Sequence, residues 1–203
     1  MLKRLNLRLP NYFPEVQKSM KRFALLSLAA ALVLSVASVP AKAGDPLQAG
    51  AAAPSFTLPS QDNTPISLTE YKGKWVVLYF YPKDMTKGCT IEAHNFQRDL
   101  DKYKAANAVV LGVSLDTAES HQTFCTKESL SFKLLADPTH KVVDAYGVPM
   151  KTFQTPNGPV TIALRQTFLI DPSGKIVKTW PNVDEDLSNH SANVLAAIAA
   201  GGK

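Results

Sequence analysis

The sequence predicts an α/β fold in which helices flank a central mixed β-sheet, and three features point to it. Residues 75–81 (WVVLYFY) and 108–115 (AVVLGVSL) are continuous apolar runs of β-branched and aromatic residues, the composition of strands buried on both faces. Each run is followed by a stretch with helical spacing. Residues 166–170 and 175–180 then flank Asp171-Pro172-Ser173-Gly174, a strong hairpin turn. Strand–helix alternation followed by a hairpin and a final helix makes the sheet mixed.

Residues 1–43 read as a leader. Met20-Lys21-Arg22 precedes a 17-residue apolar run, 23–39, then Pro40 and the small-residue site Ala41-Lys42-Ala43. That is the order of a secretory signal peptide cleaved after Ala43. Pro10, Pro14 and Glu15 are foreign to such a signal, which points to Met20 as the translation start. The apolar run is shorter than the roughly 20 residues of a membrane span, and no cysteine stands at the cleavage point, so no stable membrane anchor is expected. The reading is an exported protein, periplasmic or secreted, whose cysteines meet an oxidising compartment.

Residues 44–203 form one domain. Its first elements are short strands at 56–58 and 66–68 around the polar turn 61–65. After the strand at 75–81, residues 86–103 read as a helix, because Cys89, Ala93, Phe96, Leu100 and Tyr103 form one apolar stripe. The strand at 108–115 leads into a helix at 117–128, capped at Asp116 or Thr117. Residues 132–136 are a short strand and 140–146 a helical turn or two. After the hairpin at 166–180, an Ala-rich helix at 186–200 closes the chain.

The formal net charge is +5, which would suit an anionic partner. The leader holds seven of the basic residues and a single acidic one, leaving 15 basic and 16 acidic side chains on the domain. With no basic patch and no glycine-rich phosphate loop, nucleic-acid binding is not expected. His94, His121, His140 and His190 show no metal-ligand spacing and there is no C-x-x-C, so neither a metal nor another cofactor is expected. His94, five residues after Cys89, is turned about 140° away on an ideal helix and belongs near the surface.

The two cysteines, Cys89 and Cys125, carry the chemical interest. A cysteine on an apolar stripe is usually a small core residue. Cys89, however, follows a strand that ends at Pro82, a loop, the N-cap candidate Thr86 and the small residue Gly88. In a first helical turn, free backbone N–H groups and the dipole favour an anion, here the nucleophilic thiolate. Lys83 and Lys87 add positive charge nearby.

Residues 80–96 (FYPKDMTKGCTIEAHNF) resemble the peroxidatic site of peroxiredoxins. The core Pro82-x3-Thr86-x2-Cys89 fits their P-x-x-x-[T/S]-x-x-C pattern, with Glu92 three residues on. Residues 163–171 (ALRQTFLID) resemble the later strand that supplies the family's arginine, here Arg165, and residues 132–138 (FKLLADP) match as well. The similarity runs from about Leu47 to the C-terminus, and the branch resembled is that of the bacterioferritin comigratory protein, or PrxQ.

The resemblance implies a thioredoxin-like sandwich and a thiol-dependent peroxidase acting on hydrogen peroxide and organic hydroperoxides. It implies that Cys89 attacks the peroxide and becomes a sulfenic acid. Thr86, Arg165 and the Cys89 N–H would hold the peroxide oxygens, Pro82 would shield the thiolate, and Glu92 would orient Arg165. Many members of the branch carry a resolving cysteine five residues after the first, where this chain has His94. Others place it as Cys125 stands, which favours an intramolecular Cys89–Cys125 disulfide and requires the first turns of both helices to unwind. A one-cysteine enzyme with Cys125 in the core, or a permanent structural disulfide, stays open. In the last case the chain would be a non-catalytic thioredoxin-like redox-sensing or partner-binding module. The partners implied are a peroxide and a reducing thiol carrier or small thiol. Branch members are often monomeric.

Overall fold

Period-two alternation sorts the side chains of the first long strand onto two faces, and each face carries its own core. In the computed structural model, residues 47–202 are described. The signal peptide, the Met20 start and the Ala43 cleavage site lie outside the described residues.

A small ribbon opens the domain, β1 (Thr57–Pro59) pairing antiparallel with β2 (Pro65–Ser67). β2 stops at Ser67 because that residue caps a 3-10 turn, Leu68–Tyr71, in a reciprocal capping box with Glu70. The central sheet has the order β5-β4-β3-β8-β9, built from β3 (Trp75–Phe80), β4 (Ala108–Ser114), β5 (Lys133–Ala136), β8 (Gln166–Ile170) and β9 (Ile176–Trp180). β3, β4 and β5 run parallel, whereas β8 is antiparallel to both β3 and β9, so the sheet is mixed as expected.

The helices are α1 (Lys87–Arg98), α2 (Leu100–Ala105), α3 (Ala118–Glu128), α4 (Lys141–Ala145) and α5 (His190–Ala199). Val76, Leu78 and Phe80 of β3 face a core shared with Phe56, Val142 and Tyr146. Val77, Tyr79 and Tyr81 face the other, shared with Cys89, Phe96, Phe124, Cys125 and Val194. Each such fully buried side chain contributes about 1.5–3 kcal/mol. Both cysteines therefore lie on one side of the sheet.

Three elements differ from the sequence reading. The single helix expected at 86–103 is two, because Asp99 turns inward at the junction. Its carboxylate accepts bonds from Arg98 at 2.7 Å, Lys102 at 2.9 Å and Ser191 Oγ at 3.0 Å, tying the junction to α5. The last helix starts at His190 rather than 186, since Asp184–Asp186 forms a separate 3-10 turn. A hairpin of β6 (Met150–Thr155) and β7 (Gly158–Ala163) was not anticipated. β6 is almost wholly exposed and β7 half-buried at alternate positions, so its apolar face, Val160 and Ile162, is too short to read. Among the described residues, no helix is long and apolar enough to cross a membrane.

Gly112 of β4 lies directly beneath Tyr79, and a Cβ there would come within 2.7 Å of the Tyr79 ring and of Leu134. Gly112→Ala is expected to cost about 1–3 kcal/mol by overpacking, read as a lower urea midpoint with unchanged m.

Candidate active site

The site forms where the carboxyl end of β3 meets the start of β8. Antiparallel register pairs Phe80 with Gln166, which sets Arg165 beside the loop that leaves β3. That loop runs from the half-buried Pro82 to Thr86, the N-cap of α1, and Met85 holds a left-handed φ of 62° within it. Thr86 caps by backbone conformation alone. Its Oγ1 donates instead to the Lys83 carbonyl at 3.0 Å, which leaves the hydroxyl oxygen able to accept.

Cys89 sits in the first turn of α1, almost fully buried at 1% exposure. The ladder of α1 begins with Thr90 N–H donating to the Thr86 carbonyl at 2.9 Å, so the N–H groups before it lack helical partners. The Arg165 guanidinium approaches Cys89 from the facing strand, with both Nη1 and Nη2 at 3.6 Å from Sγ. Gly88 eases that approach, since a Cβ there would lie 3.1 Å from Arg165 Nη2 and the guanidinium would have to give by a few tenths of an ångström.

Two carboxylates hold the guanidinium in place. Nη1 donates to Glu92 Oε2 at 2.5 Å, and Nε donates to Asp184 Oδ1 at 2.7 Å. Burial opposes the charge on Arg165, but Glu92, Cys89 and Asp184 outweigh it and its pKa is raised. Glu92 responds the other way. Burial pushes its carboxyl up to about 7 against the pull of Arg165, and its buried Oε1 has no hydrogen-bond partner.

Cys125 lies on α3 in a different setting. Burial, reinforced by the charge of Asp84, pushes its thiol up to about 11. Both cysteines are free thiols in this structure, not a standing disulfide. The site therefore brings together Thr86, Cys89, Glu92 and Arg165, with Pro82 at the head of the loop.

Lys83 does not serve the thiolate, because Asp116 takes its charge at 2.9 Å. His94 is at the surface, paired with Glu128 at 3.0 Å. Asp184 was missed. It belongs to an acidic run that the sequence places at a helix start, with no spacing rule linking it to Arg165. Among the described residues, no group of three or more His, Cys, Asp or Glu could hold a metal ion.

Comparison with known proteins agrees with this geometry. Residues 49–179 match the AhpC/TSA family. The chain belongs to that family. It is 42% identical over 154 residues to peroxiredoxin Bcp of Escherichia coli (strain K12), covering 74% of this chain and 95% of the relative. To peroxiredoxin Bcp of Bacillus subtilis (strain 168) it is 39% identical over 155 residues, 75% of this chain and 95% of the relative. Peroxiredoxin Q of Xanthomonas campestris superposes with a TM-score of 0.65 at 36% identity, covering 73% and 92% of the two chains. The fold is the thioredoxin-like sandwich, and the protein is a peroxiredoxin, a thiol-dependent peroxidase that uses a peroxide and a thiol reductant.

Two outcomes follow for this peroxiredoxin. Glu92 binds more protons folded than unfolded between about 4.5 and about 7, so its contribution to stability is complete below that window and lost as pH rises through it. The stability gap between Glu92→Gln and wild type, measured by urea unfolding, should shift toward the glutamine variant from pH 4.5 to 7. Asp184 is a solvent-facing anchor, 63% exposed, so Asp184→Asn should slow Cys89 oxidation by about tenfold or less. Raising salt should slow the wild type toward the variant in stopped-flow peroxide assays.

Proposed function

We propose that this peroxiredoxin reduces hydrogen peroxide and organic hydroperoxides through Cys89 and closes its cycle with a Cys89–Cys125 disulfide. The observation that carries the first half is the Arg165 fork, both ends at 3.6 Å from Cys89 Sγ. A guanidinium stays charged and offers several donors, so it stabilises the thiolate and then the oxygens of a bound peroxide. Thr86 Oγ1 accepts from the peroxide O–H while the Cys89 N–H and Arg165 donate. The thiolate attacks the terminal oxygen, the O–O bond breaks, and the departing oxygen takes up a proton to leave as water or alcohol. Cys89 is left as a sulfenic acid.

For the second half, Cys125 lies in the same core as Cys89, on the same side of the sheet. Solved structures of Xanthomonas campestris peroxiredoxin Q include two cysteine-to-serine mutants at positions 36 apart. Cys89 and Cys125 share that spacing. Another structure of the Xanthomonas campestris bacterioferritin comigratory protein is titled for alkyl peroxide reduction. Opening of the two helices must precede bonding, because a disulfide needs Cβ atoms about 3.5–4.5 Å apart.

The leader supports export to the periplasm or beyond, where the reductant is a thiol carrier of that compartment or a small thiol.

Intact-mass analysis of the exported protein after one equivalent of peroxide tests the cycle. Expected are a first residue of Gly44 and a loss of two hydrogens that dithiothreitol restores. Cys125→Ser should instead yield a dimedone adduct on Cys89. Persistent sulfenic or sulfinic mass in the wild type would establish a one-cysteine enzyme. An unmodified Cys89 thiol would sink the peroxidase reading altogether.

A further inference from the structure

A second polar cluster lies buried beside Cys125, and the peroxide step makes no use of it. Asp84, in the loop between β3 and α1, accepts from Tyr81 Oη at 2.6 Å, Ser120 Oγ at 2.6 Å and His121 Nδ1 at 2.8 Å. Burial works against the charge on Asp84, and these bonds outweigh it, so its pKa is lowered and the group is an ionised acceptor. A carboxylate cannot donate, which requires the proton on His121 Nδ1. With Nδ1 donating, Nε2 is the ring atom left to accept a proton. That atom is fully buried and has no hydrogen-bond partner.

An orphaned buried ring nitrogen on a tautomer fixed by a carboxylate is costly in a merely structural role. It is the arrangement that makes an imidazole a base toward a nearby nucleophile. The nucleophile is one helical turn away. His121 and Cys125 are both buried on α3 at i and i+4, so they share a face of the helix. The Asp84 charge is close enough to bear on the thiol. Among the described contacts, the titratable groups facing His121 are Tyr81 from the end of β3 and Asp84 from the loop. Lys83 and Asp116 pair with each other at the outer edge of that loop.

We propose that His121, oriented by Asp84, is the base that takes the proton from Cys125 when it attacks the oxidised Cys89. The inference rests on Cys125 as the resolving thiol. In the step, Cys125 S–H gives its proton to Nε2 and its sulfur lone pair forms the S–S bond to Cys89. The Cys89 S–O bond breaks, and the departing hydroxide recovers the proton to leave as water. One sulfur is oxidised and the other reduced, so no further reactant is required. The sequence reading has the first turn of α3 unwind, but Cys125 lies in the second half of that helix. Asp84 pins the first turn through Ser120 and His121 and keeps the base in place while the segment from Cys125 to the left-handed Ser129 opens.

Rapid-quench mass analysis of the full chain with one equivalent of hydrogen peroxide separates the two steps. In His121→Gln, disulfide formation should slow by about 10²-fold while sulfenic acid forms at the wild-type rate, which also reports an intact fold. The wild-type pH profile of disulfide formation should show an ionisation that the variant lacks. Added imidazole should accelerate the step in His121→Ala. Wild-type disulfide kinetics in His121→Gln would overturn the proposal. So would a slow variant that ignores imidazole and keeps the wild-type pH profile, since that marks a structural role. A wild type that stalls at sulfenic acid would overturn the Cys125 reading, and this inference with it.

Discussion

The guanidinium of Arg165 is the constraint on which the site depends. It is a buried charge, and it is tolerable only because Glu92 binds Nη1 and Asp184 binds Nε, while Nη2 and the second N–H of Nη1 are directed at Cys89 Sγ. The fold supplies each condition of that arrangement. The Phe80–Gln166 register sets the arginine against the end of β3. Gly88 spares the guanidinium a tight contact, and Asp99 anchors the far end of α1 to α5. A register slip of one residue would turn Arg165 to the other face and dismantle the site.

The same environment explains why two cysteines in one apolar core have different chemistry. Cys89 stands at a helix N-terminus under a fixed cation, so its ionised form has partners waiting. Cys125 stands mid-helix, where burial and the negative Asp84 outweigh the pull of Lys133 and keep its proton on. The first thiol is prepared to react in the folded state. The second must wait for its helix to open. In the proposed cycle, that division places the slow, conformational part after the chemistry with peroxide, where it can decide how long the sulfenic acid survives.

Much of this was legible in the chain. The apolar runs at 75–81 and 108–115 announced the sheet, since strands buried on both faces have no polar positions to confuse them. Pro82, Thr86, Cys89 and Glu92 lie within 11 residues, and local spacing with the later Arg165 strand sufficed to point to them. What was lost depends on tertiary contact. The β6–β7 hairpin is exposed along β6 and only half-buried on one face of β7, so its apolar period is limited to Val160 and Ile162. The break at Asp99 comes from a bond to Ser191, 92 residues away. Asp184 and the Asp84–His121 pair act through side chains whose partners only the folded sheet brings within reach.

The central claim is that Arg165 and the first turn of α1 together form the peroxide cradle. A crystal structure of Cys89→Ser soaked with an organic hydroperoxide tests it most directly. The account predicts the peroxide oxygens between Thr86 Oγ1, the residue-89 N–H and Arg165 Nη1 and Nη2, with Glu92 and Asp184 still bound to the guanidinium. A peroxide bound elsewhere, or an Arg165 swung away from it, would contradict the account.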